Sequence, residues 1–227
     1  MTAAEWTAIL LSLKVAFWAT LVTLPFGLAT AMLLARCRFP GRILLDGLVH
    51  MPLILPPVVT GYALLLLLGR RGAVGSWLDQ FGIVFAFNWT GAAVAAGVMA
   101  FPLMVRAMRL SIEAVDPRLE GAAQSLGAGR IATFAWVTLP LIAPGILAGA
   151  ILAFAKALGE FGATITFVSN IEGETQTVPL AIYTALQIPG GEAAAGRLVL
   201  VAVAFSLVAL FAAELVSRRI ARWVAGR

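Results

Sequence analysis

Two stretches of the sequence hold side chains whose types and spacing could do more than pack. In the first, Lys156 and Glu160 stand four residues apart in an apolar run, so on a helix they share one face and can neutralise each other. Ionisable groups inside such a run mark a functional site by default. The second is the polar stretch 111–140. Asp116 is a good N-cap and Pro117 a good first helical residue, because proline's missing N–H costs nothing there. Leu119, Ala122, Ala123 and Leu126 follow at the spacing of one apolar stripe, and Gly127 is placed to end the helix. The spacing therefore predicts a short amphipathic helix over 116–127, built either to fill a groove on a partner or to lie on a membrane surface or on its own bundle. Other chemistry lacks its residues. No Gly-x-x-x-x-Gly-Lys-Ser/Thr phosphate loop occurs, and Cys37 and His50 alone cannot furnish a set of zinc ligands. His50 reads as an interfacial polar residue and Cys37, between Arg36 and Arg38, as an inert thiol with no disulfide partner.

The elements that must position these groups follow from composition. Of 227 residues, 61% are hydrophobic and 12% charged, and the apolar ones come in long runs rather than alternating, which points to membrane helices and excludes a transmembrane β-barrel. Five spans are expected, over 15–35, 48–69, 91–105, 139–168 and 198–216, in an all-α integral membrane protein of a single domain, 1–227. Residues 6–14 read as an interfacial lead-in to a retained first span rather than a signal peptide, and 178–188 as a re-entrant or interfacial helix. The fourth span is long enough to tilt or to break near Gly159 and Gly162. Pro56 and Pro57 in the second remove backbone donors close to Gly61; such a break suits a helix lining a wet pathway, or serves as a static packing kink. The net charge of +5 does not indicate a nucleic-acid binder, since the basic residues lie between spans. Arg36, Arg38, Arg42, Arg106, Arg109, Arg118, Arg130, Arg218, Arg219, Arg222 and Arg227 fall on one side, and Arg70, Arg71 and Arg197 on the other. By the positive-inside rule the N-terminus is expected outside and the C-terminus inside.

The string EGAAQSLGAGRIATFAWVTLP, from Glu120 to Pro140, resembles the cytoplasmic signature of ABC-importer permeases. Ala122, Ala123, Gly127, Val137, Leu139 and Pro140 fall on the family's positions, whereas Glu120 stands one residue ahead of the usual acid, whose place Gly121 takes. MPLILPPVVTGY, GRRGAVG, FPLMVRAMRL, LGEFGATITFVSN and GETQTVP look like the molybdate permeases in particular, with sulfate/thiosulfate permeases similar around Gly159 and Glu160. The resemblance implies a type I importer permease fold in a bacterial cytoplasmic membrane, with five spans rather than six. It implies a homodimer, cytoplasmic P-loop ATPase subunits that carry ATP and magnesium, and a periplasmic molybdate-binding protein. The chain itself would bind no cofactor and hydrolyse nothing. Leu119, Glu120, Gly121, Ala122, Ala123, Leu126, Gly127, Leu139 and Pro140 would couple to the ATPase. Pro56, Pro57, Thr60, Gly61, Glu160, Thr164 and Thr166 are the candidates for the pathway. The threonines are neutral donors able to touch a passing oxyanion, although threonines in membrane helices commonly bond their own backbone. A carboxylate facing the pathway would repel molybdate, so Glu160 is read as a hinge brace or subunit contact. Tungstate or sulfate permeases are the near alternatives. A secondary transporter, the distant one, would show paired broken helices and internal symmetry, which are not evident by eye.

Overall fold

The computed structural model describes residues 1–224; side chains at 213, 216, 217 and 219–224 lie outside the description, as does Arg227 of the orientation argument. Its described residues form helices and connecting turns with no strand. Helix α1 (Ala3–Arg36) starts at a capping box, in which the Thr2 hydroxyl accepts from the Glu5 N–H and the Glu5 carboxylate from the Thr2 N–H. That cap fixes the start at Ala3, so residues 6–14 are the opening turns of the first span rather than a separate lead-in. At about 1.5 Å per residue this helix exceeds the hydrocarbon thickness, and its surplus carries Lys14 over the Trp89 ring, 3.7 Å from the centroid.

The run expected as one span over 48–69 is two half-helices, α2 (Arg42–Ile54) and α3 (Pro57–Leu68), bent by 116° from one another. Proline explains the corner. Leu55 and Pro56 each precede a proline, which disfavours the helical conformation, and their ψ values are 144° and 133°. A short α4 (Gly75–Asp79) then leads to α5 (Trp89–Glu113), capped by the Asn88 side chain, which accepts from the N–H groups of Thr90 and Gly91. This helix continues well past the expected 91–105, because ion pairs accommodate its charged last turns.

The helix α6 (Pro117–Ser125) follows a tight turn. Next, α7 (Arg130–Thr133), a π-turn (Phe134–Thr138) and α8 (Leu139–Leu158) run on without a break. Pro140 cannot donate to the turn before it, and the widened turn, in which the Leu139 N–H reaches the Phe134 carbonyl, takes up the mismatch. The fourth span, expected over 139–168 with a tilt or a break near Gly159 and Gly162, breaks there: α8 ends at Leu158, Gly159 to Phe161 leave the helix, and α9 (Gly162–Val168) begins afresh. The chain closes with α10 (Val178–Leu186) and α11 (Glu192–Val224). Among the described residues, four helices are long and apolar enough to cross a membrane, and the bent α2–α3 pair makes a fifth candidate.

Helix α5 is the centre of the bundle, packed on α1 and α8, with α11 against α8 and α3 against α9. One core joins Val15, Ala16 and Ala19 to Ala92, Ala96 and Phe167; a second joins Leu34 to Met104, Met108 and Ile142; a third joins Ala8 and Ile9 to Val178 and Leu198. Small residues set the spacing. A Cβ at Gly145 would overlap the Ser111 side chain, and one at Gly149 would lie 3.0 Å from the Met104 carbonyl oxygen.

Candidate functional site

The polar stretch folds into an arm that its own bundle leaves uncovered. Asp116 caps α6 by accepting from the Arg118 N–H at 2.9 Å, and no residue of the helix is buried. Leu119 is 48% and Leu126 90% exposed; Gly121, Ala122 and Gly127 are exposed, and Ala123 is half-buried. The helix ends where glycine was expected to end it. Gly127 adopts φ +91°, a left-handed conformation that costs a residue without a Cβ nothing, and its N–H donates to the Gln124 carbonyl. Ile131 and Trp136, 86% and 83% exposed, extend the apolar face beyond it.

Glu120 faces the other way and ties the arm down. Its Oε1 accepts from Arg36 Nη2 at 3.0 Å and from Thr138 Oγ1 at 2.8 Å. The carboxylate thereby fastens α6 to the last turn of α1 and to the π-turn, just before Leu139 and Pro140 open α8. Displaced by one position from the family's acid, it points at the body of the protein. Arg36 and Thr138 were missed from sequence. Only an acid lying off the apolar stripe hinted at them.

Among the pathway candidates, α3 and α9 cross almost without side chains between them. A Cβ on Gly61 would stand 2.5 Å from the Ala163 carbonyl oxygen, and one on Gly162 would stand 2.7 Å from Pro57 Cβ. The crossing brings Gly61 together with Thr166 and Pro57 together with Gly162, and both Pro56 and Pro57 are exposed at the corner. Thr60 is 7% exposed, and its hydroxyl has no partner among the described residues. Thr164 is enclosed at 1%, and the Thr166 hydroxyl donates to the Gly162 carbonyl at 2.8 Å, so neither is an open donor in this conformation.

Glu160 lies at the junction of α8 and α9. One oxygen accepts from Lys156 Nζ at 2.6 Å and the other from the Ala163 N–H at 3.1 Å. A new helix inside an apolar layer exposes unpaired N–H groups, and this carboxylate satisfies one while the ammonium offsets its charge.

Two further networks were not read from sequence. Arg109 donates to Asp46 at 3.1 Å and to Glu113 at 2.8 Å, with His50 Nδ1 3.2 Å from the same Asp46 carboxylate, joining α2 to the last turns of α5. In the α9–α10 loop, Asn170 donates to Thr184 at 2.7 Å, Gln176 donates to Asn170 at 3.0 Å, and Thr175 donates to the Ser169 carbonyl at 3.1 Å. The only sequence signal was that the strings ending in Ser169-Asn170 and running through Thr175-Gln176 are polar in an apolar chain.

Comparison with known proteins places this architecture. The family described as "Binding-protein-dependent transport system inner membrane component" matches residues 23–222. The molybdenum transport system permease protein ModB of Escherichia coli (strain K12) is 58% identical over 228 residues, covering 100% of this chain and 99% of that one. The sulfate transport system permease protein CysT of Salmonella typhimurium is 40% identical, over 95% of this chain and 77% of its own length. A crystal structure of a bacterial alginate ABC transporter in complex with a periplasmic protein bound to alginate pentasaccharide contains a chain of the same fold, with TM-score 0.76 at 19% identity, covering 97% of this chain and 80% of that one. The chain therefore belongs to the family of binding-protein-dependent transport system inner membrane components, as a multi-pass protein of the inner membrane.

Proposed function

We propose that this chain is the membrane-spanning subunit of an ATP-driven importer for molybdate. The observation that carries the substrate is the 58% identity to a molybdenum permease over the whole chain, against 40% to a sulfate permease. Two copies form the pathway, with the N-terminus of each outside and the C-terminus inside. A periplasmic binding protein delivers the oxyanion, and separate P-loop ATPase subunits, which hold ATP and magnesium, dock on the exposed face of α6. What supports that docking is the geometry of the arm: an apolar face left open and an acidic face clamped by Arg36 and Thr138. Such a lever transmits movement, because displacement of α6 pulls on the ends of both α1 and α8. Alternating access then needs two arrangements of the dimer, biased by ATP on one side and the loaded binding protein on the other.

The test is reconstitution of the permease with its ATPase and binding protein in proteoliposomes, measuring ATP-driven molybdate uptake in competition with tungstate and sulfate. Uptake blocked by sulfate as well as by molybdate itself would move the chain to the sulfate permeases. Uptake driven by an ion gradient without ATP would remove the importer reading altogether.

A further inference from the structure

The charges at the outer end of α3 are not accounted for by the coupling arm, the core or the α3–α9 crossing. Of the three arginines expected outside, Arg197 is neutralised, its Nη2 donating to Glu5 at 2.6 Å. Arg70 and Arg71 are both exposed, and no carboxylate among the described residues lies within ion-pair distance of either. Basic residues in short outer loops work against the charge bias that orients a membrane protein. Two adjacent ones with no acidic partner therefore need a reason.

Helix capping does not supply it. The end of α3 is closed by backbone: the Gly69 N–H donates to Leu65, the Gly72 N–H to Gly69 and the Val74 N–H to Leu67. The turn is wound so tightly that a Cβ on Gly72 would meet the carbonyl oxygens of Leu66 and Leu67 at 2.5 and 2.6 Å. The two arginines thus stand on a rigid base, lining a hollow of about 340 Å³ whose other wall is Ala86 and Phe87. Phe87 itself is held at φ +62°, an unfavourable conformation for an aromatic residue. From this hollow α3 leads inward to Gly61 and to the unpartnered hydroxyl of Thr60, roughly 15 Å away at the helical rise.

We propose that Arg70 and Arg71 form a receiving site for a tetrahedral oxyanion at the outer mouth of the permease. The planar guanidinium fork matches such an anion, and two of them balance a dianion. The role is retention. An oxyanion released by a binding protein can go inward or escape to bulk water, and fixed positive charge at the mouth biases it inward. This rests on the importer reading and on the outside placement of the α3–α4 turn.

The experiment uses permease, ATPase and loaded binding protein in proteoliposomes, comparing wild type with Arg70→Gln/Arg71→Gln and Arg70→Lys/Arg71→Lys. The glutamine pair is expected to keep the ATPase stimulated by the binding protein while molybdate imported per ATP falls about tenfold; the lysine pair recovers most of it. Equal import per ATP in wild type and the glutamine pair overturns the site. Loss of ATPase stimulation in the glutamine pair also overturns it, showing a protein-docking contact instead. A defect that appears only in vesicles containing anionic lipid assigns the arginines to lipid headgroups and overturns it too. Failure of wild type to import, or failure of an impermeant reagent to label a cysteine placed at position 71 from outside, strikes the underlying reading rather than the site.

Discussion

Removing the Glu120 carboxylate tests whether the arm acts as a lever. Glu120→Ala deletes two hydrogen bonds to a charged group, each of which contributes about 1.5 to 3 kcal/mol where buried. The Arg36–Glu120 pair is only partly shielded, with side chains 27% and 23% exposed, so solvent screening pulls its share toward the surface value of about 1 kcal/mol or less. Together with the Thr138 bond, the loss comes to about 2 kcal/mol, which lowers the equilibrium constant for clamping α6 against α1 and α8 roughly thirtyfold. The apolar face of α6 is untouched, so the helix still carries its binding surface but no longer holds it in place. The assay is ATPase affinity for detergent-purified permease carrying Arg36→Ala, Glu120→Ala or both. Glu120→Ala is expected to weaken binding by up to about thirtyfold, the full loss applying if only the clamped arm binds, with the double variant no worse than Glu120→Ala alone, because the two residues act through one contact. Wild-type affinity in Glu120→Ala, or losses that simply add in the double variant, would refute the lever.

Ala122→Glu or Ala123→Glu is expected to abolish copurification of the ATPase, by placing an unpaired charge in a docked face, whereas Gln124→Glu retains it; equal recovery in all three would rule out docking through this stripe. At the crossing, Gly61→Ala forces α3 from α9 and should lower stability in detergent by about 1 to 3 kcal/mol, read as a lower unfolding temperature; an unchanged midpoint would show that the two half-helices slide freely. Lys156→Met leaves the 2%-exposed Glu160 carboxylate without its countercharge and should cost about 3 to 5 kcal/mol, with the pair Lys156→Met/Glu160→Gln recovering most of it. If the double variant is as unstable as the single, the pair's attraction is not what matters.

The arm was legible in the sequence because its signals are local: Asp116, Pro117, the leucine spacing and Gly127 act within a few residues of one another, and the helix forms between them. The broken helices were legible only in part. Prolines at 56 and 57 announced a corner, but its angle depends on α3 settling against α9, a contact between residues about a hundred positions apart. Lys156 and Glu160 could be paired from helical periodicity, while the second duty of Glu160, accepting from Ala163, required knowing that the helix stops at Leu158. The partners of Glu120 were hidden for the same reason. Arg36 is 84 residues away, and no periodicity links a position on α1 to one on α6.

The π-turn also explains a distance along the chain. Thr133 and Thr138 are both buried, yet positions five apart in a regular α-helix point about 140° away from each other. By using one residue more than an α-turn, the segment Phe134–Thr138 brings the second threonine back into phase with the first, and Ile142 continues inward one turn later. The gap between Gly127 and Leu139-Pro140 is thus a phase setting. Deleting a single residue from Phe134–Val137 would let the helix close up as ordinary α with the two threonines about 40° apart and still in phase, whereas forcing the full-length segment into α form would swing Thr138 about 140° from Thr133 and away from Glu120, leaving every signature residue present but turned to the wrong azimuth.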